Sequence, residues 1–374
     1  MILVGEMPPR RANNPKPRLE LTYDHVQYLN ALNRTDYLAT PDTARQCLQT
    51  FGFAIIPGVF SAVDCEVMRT GTFKTLEYLT QCFPDDGGPK GERRIRHGNL
   101  LSHDGLKFLS PSHHMLLAHY GIGQARHMWF ARMHPGVLNV YSKLYRESPR
   151  DLVTSFDGCS VYLPKQSELW PSGRGGRMAD KTMRLWMHTD QNFYERSEPM
   201  PIYQSWITSE DVKDGDGTLV VFPKSHKLHS AFGNEFMKTV SRNYYKYDKP
   251  EEEDFWTKTH GMVPTGITCP AGSMVLWDSR TFHCGIPPKK GRESLRNVAY
   301  VCMVPRSWCS PDVLQKRIEL FERGATTAHS PHIPTANGPV NNWGGEPLTH
   351  LPIPSIPRPT DLPSIGRRLV GYDA

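Results

Sequence analysis

The chain has 374 residues and a formal charge of +6, from 44 Lys and Arg against 38 Asp and Glu. Apolar residues at 38% and charged residues at 22% suffice for a real core and exclude a disordered chain, and so mild a charge does not call for a polyanionic partner. No run nears the roughly 18 consecutive apolar residues of a membrane span, and the eight cysteines lie singly with no CxxC pair, which argues for reduced thiols in an intracellular, cytoplasmic protein.

Residues 1–38 are polar and proline-punctuated and read as an N-terminal arm, with a short helix expected around Tyr23–Leu32. Asp42 and Thr43 can cap a helix through Gln49, Phe53–Ile56 is a short apolar strand, and Ser61 opens a second helix to about Leu79. A loop with a basic cluster follows over 83–96, then helical spacing around Met115–Leu117 and again around Val137–Leu144. From Asp157 the cadence changes. Short β-prone runs recur at Ser160–Leu163, Leu185–His188, Ile202–Ile207, Thr218–Phe222, Ser273–Trp277 and Asn297–Val304, each set off by Gly, Pro or Asp. Such spacing indicates a sandwich or barrel and not βαβ units. A long insertion separates His226 from Gly272, Pro311–Glu322 is an amphipathic helix, and residues 326–374 form a Pro-rich tail that wraps the body or stays loose.

The chemistry concentrates in the strand-rich half. In Trp186-Met-His-Thr-Asp190, His188 and Asp190 are two apart, so a strand projects both to one side. Ninety-three residues after Asp190, a second strand region supplies His283. Two imidazoles and one carboxylate make a facial triad that leaves metal positions open, as in non-haem Fe(II) oxygenases. Thirteen residues past His283, beyond a Pro-Pro-Lys-Lys-Gly turn, Arg296 opens a strand whose antiparallel return would bring a fixed guanidinium near the metal. Arg292, in the turn itself, is the rival cation.

These motifs, in this order, resemble the phytanoyl-CoA-dioxygenase-like branch of Fe(II)/2-oxoglutarate oxygenases. The resemblance extends to Gly215-Asp-Gly-Thr-Leu-Val-Val-Phe-Pro-Lys-Ser-His226, to Ala271-Gly-Ser-Met-Val-Leu-Trp-Asp-Ser-Arg-Thr-Phe-His283, and to the early Leu48-Gln-Thr-Phe-Gly-Phe-Ala-Ile-Ile-Pro-Gly-Val-Phe60. It implies an α+β fold: a double-stranded β-helix (jelly-roll, cupin-like) core at about 157–306, inside an oxygenase domain spanning 39–325, with flanking N-terminal helices. It further implies Fe(II) held by His188, Asp190 and His283, 2-oxoglutarate held by Arg296 with Tyr162 as a second contact, and O2 as the oxidant. The implied reaction releases succinate and CO2 while a substrate C–H bond is oxidised, and a ligating Asp190 favours hydroxylation or desaturation over halogenation. The chain departs from the family pattern at Thr189, at Pro287-Pro288, and in Pro223-Lys-Ser-His226, which lacks the usual turn glycine.

Around this core the sequence leaves other assignments. Gln191 and Gln204 are candidates for substrate contact. His226 fits a turn-fixing role, His103, His113 and His114 surface or capping roles, and Cys284 packing. Trp186 and Trp206 read as core more readily than as a substrate platform. The 227–262 insertion, with Tyr244, Tyr245, Tyr247, Phe255 and Trp256, is either a lid or a surface loop. The expected substrate is a small organic molecule, with no membrane partner and an oligomeric state the sequence does not give. The alternatives are oxidation of a nucleobase or protein side chain, a metal enzyme independent of 2-oxoglutarate, and a non-catalytic jelly-roll module that retains the ligands.

Overall fold

The computed structural model describes residues 19–29, 35–88, 91–110, 115–163, 183–193, 201–236, 243–289, 291–338 and 348–373. Its strands are β1 (Gln27–Tyr28), β2 (Phe53–Ile56), β3 (Leu116–Leu117), β4 (Leu152–Thr154), β5 (Cys159–Tyr162), β6 (His188–Thr189), β7 (Tyr203–Thr208), β8 (Thr218–Val221), β9 (Tyr245–Lys246), β10 (Thr265–Gly266), β11 (Met274–Asp278), β12 (His283–Ile286) and β13 (Arg296–Pro305). The helices are α1 (Ala44–Phe51), α2 (Ala62–Leu79), α3 (Arg126–Met133), α4 (Pro135–Tyr145), α5 (His229–Glu235), α6 (Pro250–Asp254), α7 (Pro311–Glu322) and α8 (Ser364–Val370).

Two sheets face each other. One runs β2-β11-β7-β13-β5-β3, with β4 also paired to β13; the other runs β1-β10-β8-β12-β6-β9. All pairings are antiparallel except β1 with β10. This is the double-stranded β-helix that the sequence implied. The period-2 alternation of the strands sorts their side chains between two environments. Ala54, Ile56, Ile207, Met274, Leu276, Ala299 and Val301 point outward into the layer made with α1 to α4. Phe53, Ile55, Trp206, Val275, Trp277 and Val298 point inward, against Leu219 and Val221 of the opposite sheet. The smaller sheet's outer face carries Val220, Phe222, Cys284 and Ile286, covered by Phe232, Tyr247, Phe255 and Trp256.

That cover corrects the reading of the 227–262 insertion. Most of its aromatics form the apolar roof of the smaller sheet, without which strands buried on both faces would meet water; only Tyr244 reaches the site below. Helix α2 is built as expected, with Ser61 Oγ accepting from Asp64 N while Ser61 N donates to Asp64 Oδ2 at 2.8 Å. Four other local readings differ. Tyr23–His25 is a single tight turn, and Gln27–Tyr28 then adds to the edge of the smaller sheet through β10, so strand pairing overrides the helix expected there; residues 30–34 of that reading lie outside the described residues. Leu116 and Leu117 form β3 against β5, not a helix. Ladder pairing at the first ligand motif begins only at His188, so the strand is shorter than Leu185–His188 suggested. His103 is buried at 1% exposure, its ring near Phe73, and is not a surface residue; His113 and His114 lie outside the described residues.

The proline-rich tail is wrapped onto the body. Ile356 N donates to Tyr120 O at 2.7 Å, and Leu369 and Val370 of α8 are fully buried in the same core as α3 and α7. Arg317 of α7 is buried with them and donates to the carbonyls of Thr154, Pro331, Leu369 and Val370. Its charge is thus surrounded by acceptors, as a buried guanidinium requires. Gly272, in the turn before β11, shows why that motif needs glycine. Its φ is +79°, and a Cβ there would lie 2.2 Å from Phe60 O.

Candidate metal centre and its cavity

His188 and His283 are direct cross-strand partners on β6 and β12, with ring centroids 4.3 Å apart. Asp190, just past β6, is tied down by its own N–H and by Thr189 Oγ1, both donating to Ser279 O at 3.0 Å. One donor atom from each of His188, Asp190 and His283 lies within 4.8 Å of the others. His188 Nε2 is 3.7 Å from Asp190 Oδ1, and His283 Nε2 is 3.3 Å from Oδ2.

The imidazoles are held in one tautomer. His188 Nδ1 lies 3.2 Å from Trp186 O and His283 Nδ1 lies 2.8 Å from Thr281 O. Carbonyls only accept, so each Nδ1 carries the proton and each Nε2 lone pair turns toward Asp190. Burial, with the neighbouring His283, pushes the His188 imidazole down to about 3, which keeps it neutral. Burial opposes ionisation of Asp190, but its surroundings, His329 foremost, prevail and hold its carboxyl below the ordinary range. Two neutral nitrogens and one carboxylate converging on a point suit a divalent metal with open positions. Gln204 orients the acid: its Nε2 donates to Asp190 Oδ2 at 3.1 Å and to Ser279 Oγ at 3.2 Å.

The cluster opens into a cavity of about 630 Å³ between the sheets. Arg296, the first residue of β13, reaches it from the opposite sheet and is only 6% exposed. Its Nη1 donates to Gly217 O at 2.7 Å and its Nε to Ser160 Oγ at 3.1 Å, with the guanidinium 5.6 Å above the Trp206 ring. Tyr300, four residues along β13 on the same face, also lines the cavity near this guanidinium. Arg292 is instead paired with Asp216 at 2.8 Å in the turn.

The remaining sequence candidates are placed unevenly. Tyr162 is the register partner of Arg296 on β5 and shares its face, but the β5 residue on the cavity wall is Ser160. Gln204 is on the wall, its amide nitrogen engaged by Asp190. Gln191 is buried away from the wall, where its carbonyl faces His229 Nε2 at 3.1 Å. Trp186 and Trp206 both line the cavity, so they are more than core; Trp186 stacks on His188 at 4.5 Å and donates to Gly285 O. Cys284 points into the outer core, and His226 Nε2 lies 3.1 Å from Gln49 O, fixing the turn. Sequence reading missed Ser160, Tyr300, Asp157 and His329. Same-face spacing from Arg296 would have found Tyr300; nothing in the sequence announced the other three. In the basic loop, Arg93 donates to Asp86 O and Arg96 pairs with Asp85, so two of its cations are held locally.

The phytanoyl-CoA dioxygenase (PhyH) family model matches residues 177–287, the stretch that carries all three clustered residues. Over that stretch the chain is similar to the phytanoyl-CoA dioxygenase family. Ava biosynthesis cluster protein O of Aspergillus versicolor is 25% identical over 221 residues, which is 57% of this chain and 66%, just under two thirds, of that relative. Among solved structures, a hypothetical protein from Escherichia coli shares the fold with a TM-score of 0.52 at 13% identity, over 90% of this chain and 85% of that one. The epimerase SnoN, solved with Fe3+, alpha ketoglutarate and nogalamycin RO, is similar at a TM-score of 0.41 and 14% identity, over 71% of this chain and 83% of that one. Among the described residues, no helix is long and apolar enough to cross a membrane.

Proposed function

We propose that this chain is an Fe(II)- and 2-oxoglutarate-dependent dioxygenase that hydroxylates a small organic molecule. The observation that carries the reading is one cavity holding both a tautomer-fixed His188–Asp190–His283 cluster and, from the opposite sheet, the buried cation Arg296. His188 and His283 would bind iron through Nε2, and Asp190 through its carboxylate. Arg296 would hold the far carboxylate of 2-oxoglutarate, with Ser160 and Tyr300 completing the pocket and Tyr162 packed behind. Bound together, iron and 2-oxoglutarate supply the oxidising power: O2 and 2-oxoglutarate are consumed, succinate and CO2 leave, and a substrate C–H becomes C–OH.

The protein's own contribution is orientation and exclusion of water. Gln204 holds Asp190 so that its carboxylate faces the imidazoles. Trp186 and Tyr244 flank His188, the latter at 5.2 Å, and shield the centre from bulk solvent. With Asp190 as a ligand, no position would be vacated for a halide, which favours hydroxylation. The cavity is a concave pocket of about 630 Å³, a size that favours a small molecule over a nucleic acid or protein chain.

The test is an anaerobic titration of the full chain with Fe(II) and then 2-oxoglutarate, followed by visible absorption. A charge-transfer band that needs both components is expected, with slow succinate formation once air is admitted. Bound iron without a band would overturn the reading and leave a metal-binding module.

A further inference from the structure

Residues 325–338, beyond α7, lie outside the stretch matched by the family model, yet they form part of the cavity wall. Thr327 clamps this segment to the chain entering β5: Thr327 N donates to Phe156 O at 3.0 Å, and Phe156 N donates to Thr327 Oγ1 at 3.1 Å. Ala328 N donates to Thr335 O and Asn337 Nδ2 to Ala118 O, closing a tight loop against the body. The clamp brings His329 onto the wall near Asp157, the neighbour of Phe156.

Most polar groups on this wall have protein partners. Arg296 is held by Ser160 and Gly217, Gln204 by Asp190, and Asn337 by Ala118. The indole nitrogens of Trp206 and Trp277 have no partner among the described residues, and Asp157 and His329 are ionisable groups with a free polar atom. Asp157 Oδ1 accepts from the adjacent Gly158 N at 2.7 Å, which leaves Oδ2 without a partner among the described residues. His329 Nε2 is buried and has none. No hydrogen bond or ion pair among the described residues joins the two side chains to each other. Asp157 is half-buried, so its Oδ2 is open to the cavity, whereas the buried His329 Nε2 carries a penalty until a ligand relieves it.

We propose that Asp157 and His329 are the polar anchor of the substrate, gripping a hydroxyl group on a mostly apolar ring compound. The hydroxyl donates to Asp157 Oδ2 and accepts from His329 Nε2–H, so one group satisfies both side chains. A carboxylate in its place would meet Asp157 and Asp190, and an ammonium would have nothing to accept from His329. The rest of the wall suits a flat apolar body: Trp186, Trp277 and Tyr244 supply ring faces, and Met115 and Leu219 fill between them. A volume of about 630 Å³ is in the range of drug-sized ligands. One half of the anchor, Asp157, stands at the entry to β5 and the other, His329, on the loop beyond α7, so together they fix which substrate carbon is presented to the metal centre. Asp157 and His329 are therefore specificity-determining groups.

The inference rests on the oxygenase reading for what happens after binding, but its test does not. Binding of 2-naphthol and 2-methoxynaphthalene to the full chain would be measured by equilibrium dialysis, in wild type, Asp157→Leu, His329→Leu and His329→Gln. Wild type is expected to prefer the naphthol about tenfold. Each leucine variant should lose that preference while keeping its affinity for the ether, which also shows that the cavity is intact, and His329→Gln, which restores an N–H, should recover part of it. Equal binding of both probes by wild type, binding of neither, or a preference that survives in both leucine variants would overturn the proposal. Should wild type lack the Fe(II)/2-oxoglutarate band yet show the naphthol preference through these residues, the oxygenase reading fails and the hydroxyl anchor stands.

Discussion

Arg296 begins a ten-residue strand that pairs with three others, whereas His188 sits on a strand of two residues and Asp190 just beyond its end. The larger sheet therefore fixes the backbone of its buried cation by ladder register, and Ser160 and Gly217 only orient the guanidinium. The smaller sheet cannot, and its metal-facing groups depend on individual hydrogen bonds: Nδ1 to carbonyl for each histidine, Gln204 and Ser279 for the acid. Position by ladder is robust to substitution nearby, while position by single contacts is not.

The largest effects should separate the two sheets. His188→Ala is expected to abolish iron binding and the charge-transfer band. Arg296→Ala should leave iron affinity within about twofold; losing one half of a buried charge pair costs about 2–5 kcal/mol, so 2-oxoglutarate affinity should fall at least about 30-fold. Calorimetric titration of each ligand reads both, and a loss of iron binding in Arg296→Ala would break the comparison. Next comes Gln204→Ala, which removes a support without touching a metal-facing group. Outer hydrogen-bond partners of this kind are worth about 10- to 100-fold in metal affinity, with 2-oxoglutarate binding unchanged once the metal is saturating. An unchanged metal affinity would mean that Ser279 alone holds Asp190.

Smaller effects fall in the helical layer and the turns. His127 on α3 is buried at 2% exposure, and burial with Arg132 nearby pushes its imidazole down to about 3. An unfolded chain binds that proton near pH 6.5. Between about pH 6.5 and 3 the unfolded state thus holds more protons, and stability falls as pH falls, by up to about 1.4 kcal/mol per pH unit from this group. In the metal-free protein, His127→Gln should flatten the acid limb of stability measured by urea unfolding at several pH values; an identical slope would remove His127 from the account. Lys224 stands where the family resemblance implies a turn glycine, and its φ is +70°. A left-handed non-glycine residue costs about 1–2 kcal/mol, partly offset by the extra chain entropy of glycine. Lys224→Gly is expected to raise stability by about 0.5–1 kcal/mol in thermal unfolding, with metal binding unaltered.

Much of this was legible before any coordinates. Phe53–Ile56, the helix opened by Ser61 and the helix Pro311–Glu322 follow from period and caps. The His-x-Asp pair, the later histidine and the Arg-led strand were also readable, because ligand spacing on a strand is a local property. Other features were not. A helix was expected at Tyr23–Leu32 where an edge strand forms, since pairing with β10 is a contact between residues more than 200 positions apart. The insertion's aromatics could not be assigned to a roof without knowing which sheet face lay beneath.

The sequence by itself determined the chemistry at the centre: two imidazoles, one carboxylate and a cation on β-prone runs in a fixed order, because donor identity and strand alternation are properties of the chain. Only the tertiary structure decided what surrounds that centre. The tautomers of His188 and His283, the support from Gln204, and the arrival of Asp157 and His329 on one cavity wall all depend on distant segments packed together. The physical reason is that a hydrogen bond or a buried unpaired group is defined by its neighbours in space, and here those neighbours come from loops far apart along the chain.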